Sequence, residues 1–169
     1  PPADEWLASL PEGHPRLYVS AETLEGLRAS QHGARADLWR QLQAEADEVL
    51  AESHEIEEPP YLPDRRLDYE AYFPVWTRIM WGSRRFIKGA EVLSLAYLAS
   101  GDARYGRAAA QRMASISRWD PEGSSYLGHN DEAHMSVIWH GPHACDWAWD
   151  QFTDEERATF GRLLAAGFI

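Results

Sequence analysis

A stretch of 27 residues, Ser124 to Asp150, concentrates side chains that can bind ligands or transfer protons. It contains four of the seven histidines and three of the eight tryptophans of the chain. Surface loops turn with Gly, Ser, Asn and Asp and have no need of His and Trp. Tyr126, His129 and Asn130 fall close together here, and such side chains donate to an oxyanion or exchange a proton near neutral pH. The stretch is therefore the first candidate for a ligand site.

The same residues also have a purely structural interpretation. Asn130 and Asp131 precede a predicted helix, and Asn and Asp are favoured N-cap residues. His129 would then be an ordinary exposed side chain. The sequence leaves both interpretations open.

Further histidines with a neighbouring acid raise the question of a metal site. Imidazole and carboxylate are suitable zinc ligands, but their spacing matches no zinc motif. Gly141 and Pro142 also separate the last two histidines, and proline usually breaks the interior of a helix. We therefore predict no metal ion in this chain, and expect satisfied or exposed histidines. The residues concerned are Glu132, His134, His140 and His143.

Tryptophan and arginine occur together in the segment that precedes this stretch. Trp76 and Trp81 lie close to Arg84 and Arg85, and Trp139 lies in the stretch itself. The C–H faces of sugar rings stack on exposed indoles, so this combination would suit an anionic saccharide. The alternative is that each tryptophan belongs to the core, as large aromatic side chains usually do.

The composition is that of an acidic globular chain. Apolar residues make up 44% of its 169 residues, and the formal net charge is −11. That charge argues against nucleic-acid binding, because such domains usually carry a basic face. No apolar run approaches the roughly 20 residues of a membrane helix, so no membrane partner is expected.

Six cations nevertheless fall within one window of this acidic chain. They either focus positive potential in a cleft or form a solvated helix face with acidic neighbours. These cations are Arg65, Arg66, Arg78, Arg84, Arg85 and Lys88.

The ends of the chain and its single cysteine give little further guidance. Cys145 cannot form an internal disulfide. The first residues contain neither a basic nor an apolar signal region, so a targeting peptide is either absent or already removed. The chain ends in LLAAGFI, within an apolar helical pattern, which indicates a fragment of a longer protein. Leu163, Leu164 and Phe168 would then be exposed apolar residues.

Hydrophobic positions recur with the helical period in every long segment. Ser20 predicts an N-cap, Gly101 predicts a helix C-terminus, and Thr153 with Glu156 predicts a capping box. Residues 54–74 contain four prolines and no sustained period, which predicts a connection over the surface.

The segments on either side of Gly101 predict an antiparallel hairpin of two helices, of which the second is rich in alanine. No alternating strand pattern of useful length is present. We therefore predict an all-α fold, with one helical domain over residues 1–169 built as a stack or ring of helical hairpins.

Three segments in a fixed order resemble one protein family. They read GHPRLYVSAETLEGLRA from Gly13, EVLSLAYLASGDARYGRAAAQRM from Glu91, and DWAWDQFTDEERATFGRLL from Asp146. Together they resemble the amino-terminal helical domain of heparinase II/III-like polysaccharide lyases, a group that includes exolytic alginate lyases. The resemblance covers nearly the whole chain.

The resemblance implies an incomplete α/α toroid followed by β-sandwich domains that this chain does not contain. It implies β-elimination of uronic-acid polymers such as heparin, heparan sulfate, other glycosaminoglycans or alginate. That reaction neutralises the uronate carboxylate, removes the C5 proton and protonates the leaving oxygen. The family's Asn-His signature has no counterpart after Thr153. The catalytic residues are therefore expected beyond Ile169.

The resemblance also carries expectations about location, cofactors and partners. It implies a secreted or periplasmic protein whose partner is an anionic polysaccharide, and it is compatible with a homodimer. No cofactor is expected in this chain, and a divalent metal would belong to the absent sheet domain.

Taken with the residues above, the resemblance predicts a substrate-binding set from two parts of the chain. The opening stretch supplies Tyr126, His129, Asn130, Glu132, His134, Trp139 and His140. The preceding basic window supplies Trp76, Trp81, Arg84 and Arg85.

Two other functions are compatible with the sequence. One is a non-catalytic carbohydrate-binding or protein-interaction module of helical hairpins, because no complete catalytic set is present. The other is a glycoside hydrolase on an α/α toroid, with Asp131 and Glu132 as general acid and base. Adjacent carboxylates are poorly spaced to flank a glycosidic bond, so the hydrolase ranks last.

Overall fold

The regular structure of the protein is helical throughout the residues described. The computed structural model describes residues 13–165, with side chains as far as Phe160. No strand occurs in this range, so the predicted all-α fold class is confirmed. The α-helices are α1 (Ala21–Ala29), α2 (Ala36–Leu50), α3 (Tyr69–Ser100), α4 (Ala103–Ile116), α5 (Asp131–Trp147) and α6 (Asp154–Ala165), with short 3-10 turns at Ser30–His32 and Trp149–Gln151.

The helix termini lie where the capping residues predict them. The Ser20 side chain accepts a hydrogen bond from the backbone N–H of Thr23. Gly101 follows α3 in the left-handed conformation, with φ of 73°, which glycine adopts without steric cost. Thr153 and Glu156 exchange the two hydrogen bonds of a capping box at the start of α6. These three predictions are confirmed.

Helix α3 begins earlier than the sequence pattern predicts. Asp68 is its N-cap and Tyr69 its first residue, so the predicted connection over residues 54–74 ends six residues too late. Pro74 lies inside the helix and removes only one backbone hydrogen bond, whose acceptor would be the carbonyl of Glu70. Glu70 is exposed, so water can hydrate that carbonyl. The proline is therefore tolerated.

Helix α5 likewise continues through a proline that was expected to end it. It runs without interruption across Gly141 and Pro142 to Trp147. The missing N–H of Pro142 leaves the carbonyl of Ile138 without its helical donor, and Ile138 is half-exposed to water. The uninterrupted helix places His140 and His143 on one face, which corrects the expectation of a break between them.

Helices α3 and α4 form the predicted antiparallel hairpin. They are joined by the turn at Gly101 and Asp102, and the far end of α4 returns to the middle of α3, where the Arg112 guanidinium donates to the backbone carbonyl of Phe86. The alanines of α4 are buried against α3, as predicted for a tightly packed partner helix.

Arg112 lies at the centre of the hairpin with a fully buried side chain. Its guanidinium donates to the carbonyls of Val49 and Phe86 at 3.1 Å and contacts the Glu52 carboxylate at 3.0 Å. Burial lowers the pKa of Arg112, although the bond to Glu52 acts in the opposite direction. A Cβ atom at position 89 would lie 2.6 Å from the guanidinium, so Gly89 makes room for it.

Helices α3 and α5 are parallel and make the most extensive helix pair. Arg84 contacts Glu132, and Glu91 contacts His140 further along both helices. Both residue pairs advance in the same direction, which defines the parallel arrangement. The groove between these two helices is called the α3–α5 seam below.

No helix within residues 13–165 is both long and apolar enough to cross a lipid bilayer. The predicted exposure of Leu163, Leu164 and Phe168 concerns side chains that lie outside the described part of the chain.

Candidate functional site

Arg84 lies in the α3–α5 seam between two partly exposed tryptophans. Its guanidinium carbon lies 5.7 Å from the ring centroid of Trp81 and 5.5 Å from that of Trp139. One terminal nitrogen of the guanidinium donates to the Glu132 carboxylate at 3.1 Å. Trp81 is 59% exposed and Trp139 is 50% exposed. The structure therefore brings together four residues of the predicted substrate-binding set.

The Arg84 guanidinium has more N–H donors than its protein partner accepts from. A guanidinium has five N–H donors, and Glu132 accepts from one terminal nitrogen. The Nε atom is buried without a hydrogen-bond partner among the described residues. Two indole faces beside a partly satisfied guanidinium form a surface suited to a planar or ring-shaped anion.

Two histidines of α5 share one carboxylate further along the seam. Nδ1 of His140 lies 2.6 Å from one oxygen of Glu91, and Nδ1 of His143 lies 2.9 Å from the other. The first contact is a hydrogen bond. The second is electrostatic, because Nδ1 of His143 lacks a well-aligned hydrogen-bond partner in the described residues. His140, a predicted site residue, therefore belongs to the seam.

Asn130 is buried and does not face an open surface, as it would have to in order to contact substrate. It is 1% exposed, and its side-chain oxygen accepts from the backbone N–H of Ala133 as the N-cap of α5. A capping side chain that is covered by protein cannot line an open binding surface. The structural alternative for Asn130 is the correct one.

Tyr126 and His129 lie on the loop before α5, where they contact each other. Nδ1 of His129 lies 2.9 Å from the Gly123 carbonyl oxygen, and its ring contacts those of Tyr61 and Tyr126 edge to face. Both predicted residues are exposed, and His129 lines a shallow depression shared with Arg65. They therefore remain accessible, on the loop that precedes α5.

His134 is turned into the protein. Its residue surface is 7% exposed. Burial lowers the pKa of His134, and a hydrogen bond with the backbone of Ser125 acts in the opposite direction. Its predicted role in substrate contact is corrected to a role in joining the loop to α5.

The basic window does not converge on one surface. Arg85 contacts Glu52 at 2.5 Å, on the side of α3 that faces α2. Lys88 lies 3.7 Å from Glu45 of α2. Consecutive helical residues point about 100° apart, so Arg84 and Arg85 cannot share a face. Arg85 therefore does not lie beside Arg84 on one face, as the predicted set required. Arg85 and Lys88 instead have acidic neighbours, as in the alternative interpretation of the basic window.

Trp76 belongs to a different aromatic group from Trp81. Its ring lies 6.4 Å from Tyr72 and 6.0 Å from Phe73 on the first turns of α3. Tyr69 extends the same row. Trp76 is partly buried in this row, and the structure does not place it in the Arg84 cluster.

Glu58 organises the loop that leads into the site. It accepts hydrogen bonds from the backbone N–H of Asp120 and from both the backbone and hydroxyl of Ser125. The Ser124 hydroxyl donates to it as well. Burial is the largest single influence and raises the pKa of Glu58, but these hydrogen bonds together outweigh burial and lower it.

Sequence reasoning missed Glu58 and Glu91 because neither lies near the histidine-rich stretch. Glu58 lies in the proline-rich connection, and Glu91 lies on α3. Glu91 is the only acid in α3 after Glu70, and this is the signal that could have identified it. Among residues 13–165, no group of three or more His, Cys, Asp or Glu side chains is arranged to bind a metal ion.

Comparison with known proteins does not assign the chain to a family. No protein-family model matches the chain, and no curated protein gives a significant match. A functional proposal therefore rests on the sequence motifs and on the side chains of the seam.

Proposed function

We propose that this chain is the helical part of a polysaccharide lyase, and that it binds a uronic-acid polymer along the α3–α5 seam. The observation that supports this most directly is the position of Arg84 between Trp81 and Trp139. A sugar ring has C–H faces that stack on indole, and a uronate carboxylate can accept two N–H bonds from one guanidinium.

The ordering of helices supports the toroidal part of the proposal. Two parallel helices, α3 and α5, are connected through the antiparallel helix α4. Successive hairpins in a ring of helices repeat this pattern. In the proposed full protein the ring continues after Ile169, and sheet domains follow it.

The elimination chemistry is proposed from the three-segment resemblance. Its catalytic groups would lie beyond Ile169, as would a divalent metal in the sheet domain. The protein would be secreted or periplasmic, where acidic polysaccharides are encountered. Within this chain, Arg84 would hold the uronate carboxylate and the tryptophans would orient the sugar rings.

Arg84→Ala tests the binding part of this proposal. Removing a charged hydrogen-bond donor costs about 1.5–3 kcal/mol, which corresponds to a loss of affinity of about 10-fold to 100-fold. Affinity for alginate and hyaluronan oligosaccharides would be measured by titration calorimetry. Arg104→Ala is the matched control, because Arg104 is exposed and contacts Asp102 on α4, away from the seam. Equal affinity in both variants would contradict the proposed site.

A non-catalytic carbohydrate-binding module is the second candidate. It is favoured by one observation: Asn130, which was predicted to contact substrate, caps α5 and is 1% exposed. An assay of the full-length protein distinguishes the two candidates: it measures the ultraviolet absorbance of unsaturated uronate products. Binding with no rise in absorbance on any uronic-acid polymer would favour the module.

A further inference from the structure

The connection between α2 and α3, residues 51–68, begins along one side of α4. The Ser115 hydroxyl accepts from the backbone N–H of Ile56 at 2.9 Å and donates to the carbonyl of the same residue at 3.1 Å. Two residues earlier in the chain, the His54 imidazole contacts Arg112. Arg112 and Ser115 are three residues apart on α4, so they lie on one face of that helix. This face fixes the start of the connection.

The contact between His54 and Arg112 requires an unprotonated imidazole nitrogen. Nε of Arg112 carries one N–H, which it donates to Nδ1 of His54 at 3.3 Å. A guanidinium cannot accept a hydrogen bond, so Nδ1 is the acceptor and the neutral ring carries its proton on Nε2. A proton on Nδ1 would place two donors against each other.

Arg112 cannot turn away from a protonated imidazole. Its side chain is fully buried, and its terminal nitrogens donate to the carbonyls of Phe86 and Val49 and to the Glu52 carboxylate. Moving the guanidinium would leave two backbone carbonyls without their donor, which is costly inside a protein. His54 is only partly buried, so it is the partner that can move into water.

The charged groups around His54 are two carboxylates and the arginines that are paired with them. They come from α2, α3, α4 and the connection itself, and are Glu52, Glu55, Arg85, Arg112 and Arg118. Burial is the largest influence on His54 and disfavours its charged form, and the positive charge of Arg112 acts in the same direction. These two effects outweigh the attraction of the acids, so the pKa of His54 is lowered from its ordinary value of 6.5.

We propose that His54 is an acid-sensitive switch that controls how firmly the α2–α3 connection is held against α4. While its imidazole is neutral, it accepts from Arg112 and holds residues 53–57 in place. When the imidazole is protonated, it moves into water, and the hydrogen bonds between Ile56 and Ser115 open more often. The helical hairpin keeps its structure, because the other bonds of Arg112 are retained. The switch does not require a ligand in the α3–α5 seam.

Hydrogen exchange of the Ile56 backbone amide measures this opening in the whole chain. After correction for the intrinsic pH dependence of exchange, opening should increase by about tenfold from pH 7 to pH 5, and a single histidine proton limits the increase to about thirtyfold. His54→Asn should abolish the increase, because an amide oxygen replaces Nδ1 as the acceptor and does not titrate. His54→Ala should be open to the same extent at both pH values. His32→Asn, at an exposed position, is the control and should behave as the unsubstituted chain does.

Nitrogen-15 NMR of the unsubstituted chain measures the protonation of His54 directly. Nδ1 should be the unprotonated nitrogen at pH 7, and the imidazole should titrate below pH 6.5. A proton on Nδ1 at pH 7, or titration at or above 6.5, would overturn the proposal. It is also overturned if His54→Asn retains the full increase in opening. The NMR measurement needs no substitution, so it decides the proposal even where a variant does not fold.

Discussion

The carboxylate of Asp146 lies 2.6 Å from Nδ1 of His14, although 132 positions separate these residues in the chain. The same carboxylate accepts from the backbone of Arg16 and Leu17. Two of the three segments that carry the family resemblance are therefore joined by one side chain. Their joint occurrence is explained by folding, because Asp146 fixes the path of the chain into α1.

Asp146→Asn should destabilise the protein. One carboxylate oxygen of Asp146 accepts from both backbone N–H groups, of Arg16 and Leu17, and the other contacts Nδ1 of His14. The amide keeps only one acceptor oxygen, so either His14 or the two part-buried backbone donors lose their acceptor. The expected loss in free energy of unfolding is about 1–3 kcal/mol, measured by urea denaturation. Asp154→Asn is the control, since the Asp154 side chain is fully exposed, and it should change stability by less than about 0.5 kcal/mol. Equal effects of the two substitutions would refute the role of Asp146.

Arg112→Met should lower the free energy of unfolding more than Asp146→Asn does. Methionine preserves much of the volume but leaves the carbonyls of Val49 and Phe86 without their donors. Removing one member of a buried charged network typically costs about 3–5 kcal/mol. Arg104→Met, at an exposed position on the same helix, should cost under about 0.5 kcal/mol. A small effect at Arg112, read from the urea midpoint, would mean that the centre of the hairpin tolerates an apolar side chain.

Glu58→Gln should make the free energy of unfolding less dependent on pH in the acidic range. The pKa of Glu58 is lowered in the folded protein from its ordinary value of 4.5. Its contribution is therefore present above that value and is lost as the pH falls through the lower folded pKa. The variant should lose about 1 kcal/mol at pH 7, and the two unfolding curves should converge in strong acid. Glu57→Gln, at an exposed neighbouring position, is the control, and a constant difference at all pH values would contradict this account.

Gly89→Ala and Gly82→Ala should have opposite effects. A Cβ atom at Gly89 would lie 2.6 Å from the Arg112 guanidinium and 3.0 Å from Val49, whereas nothing lies within 4 Å of one at Gly82. Alanine at position 82 should stabilise α3 by about 0.5–1 kcal/mol through its helix propensity. At position 89 the clash should cost about 1–3 kcal/mol. Thermal unfolding of the two variants checks the sign of each change.

The helical period and the caps were sufficient to predict most of the fold. Ser20, Gly101 and Thr153 act locally, so their effects are visible in a short stretch of sequence. Pro74 and Pro142 misled the prediction because their cost depends on whether the orphaned carbonyl reaches water, and that is decided by tertiary packing.

The candidate site was predictable only in part, for a similar reason. Trp81, Arg84, Glu132 and Trp139 were singled out by residue type, and the parallel packing of α3 and α5 brings them together. Arg85 was included because it is adjacent to Arg84 in sequence, but helix geometry turns it by about 100°, toward Glu52. Glu91 could not be associated with His140 and His143, since only the folded path of the chain brings them into contact.

The parallel register of α3 and α5 sets a rule for insertions and deletions in this chain. Arg84 and Glu132 are 48 positions apart, and Glu91 and His140 are 49 apart. Extra residues in the exposed part of the loop between α4 and α5 would shift the numbering of α5 without altering which side chains meet. Deleting one residue between Glu132 and His140 would instead rotate His140 by about 100° and remove it from Glu91. Length variation should therefore be tolerated in that loop and excluded from the middle of α5.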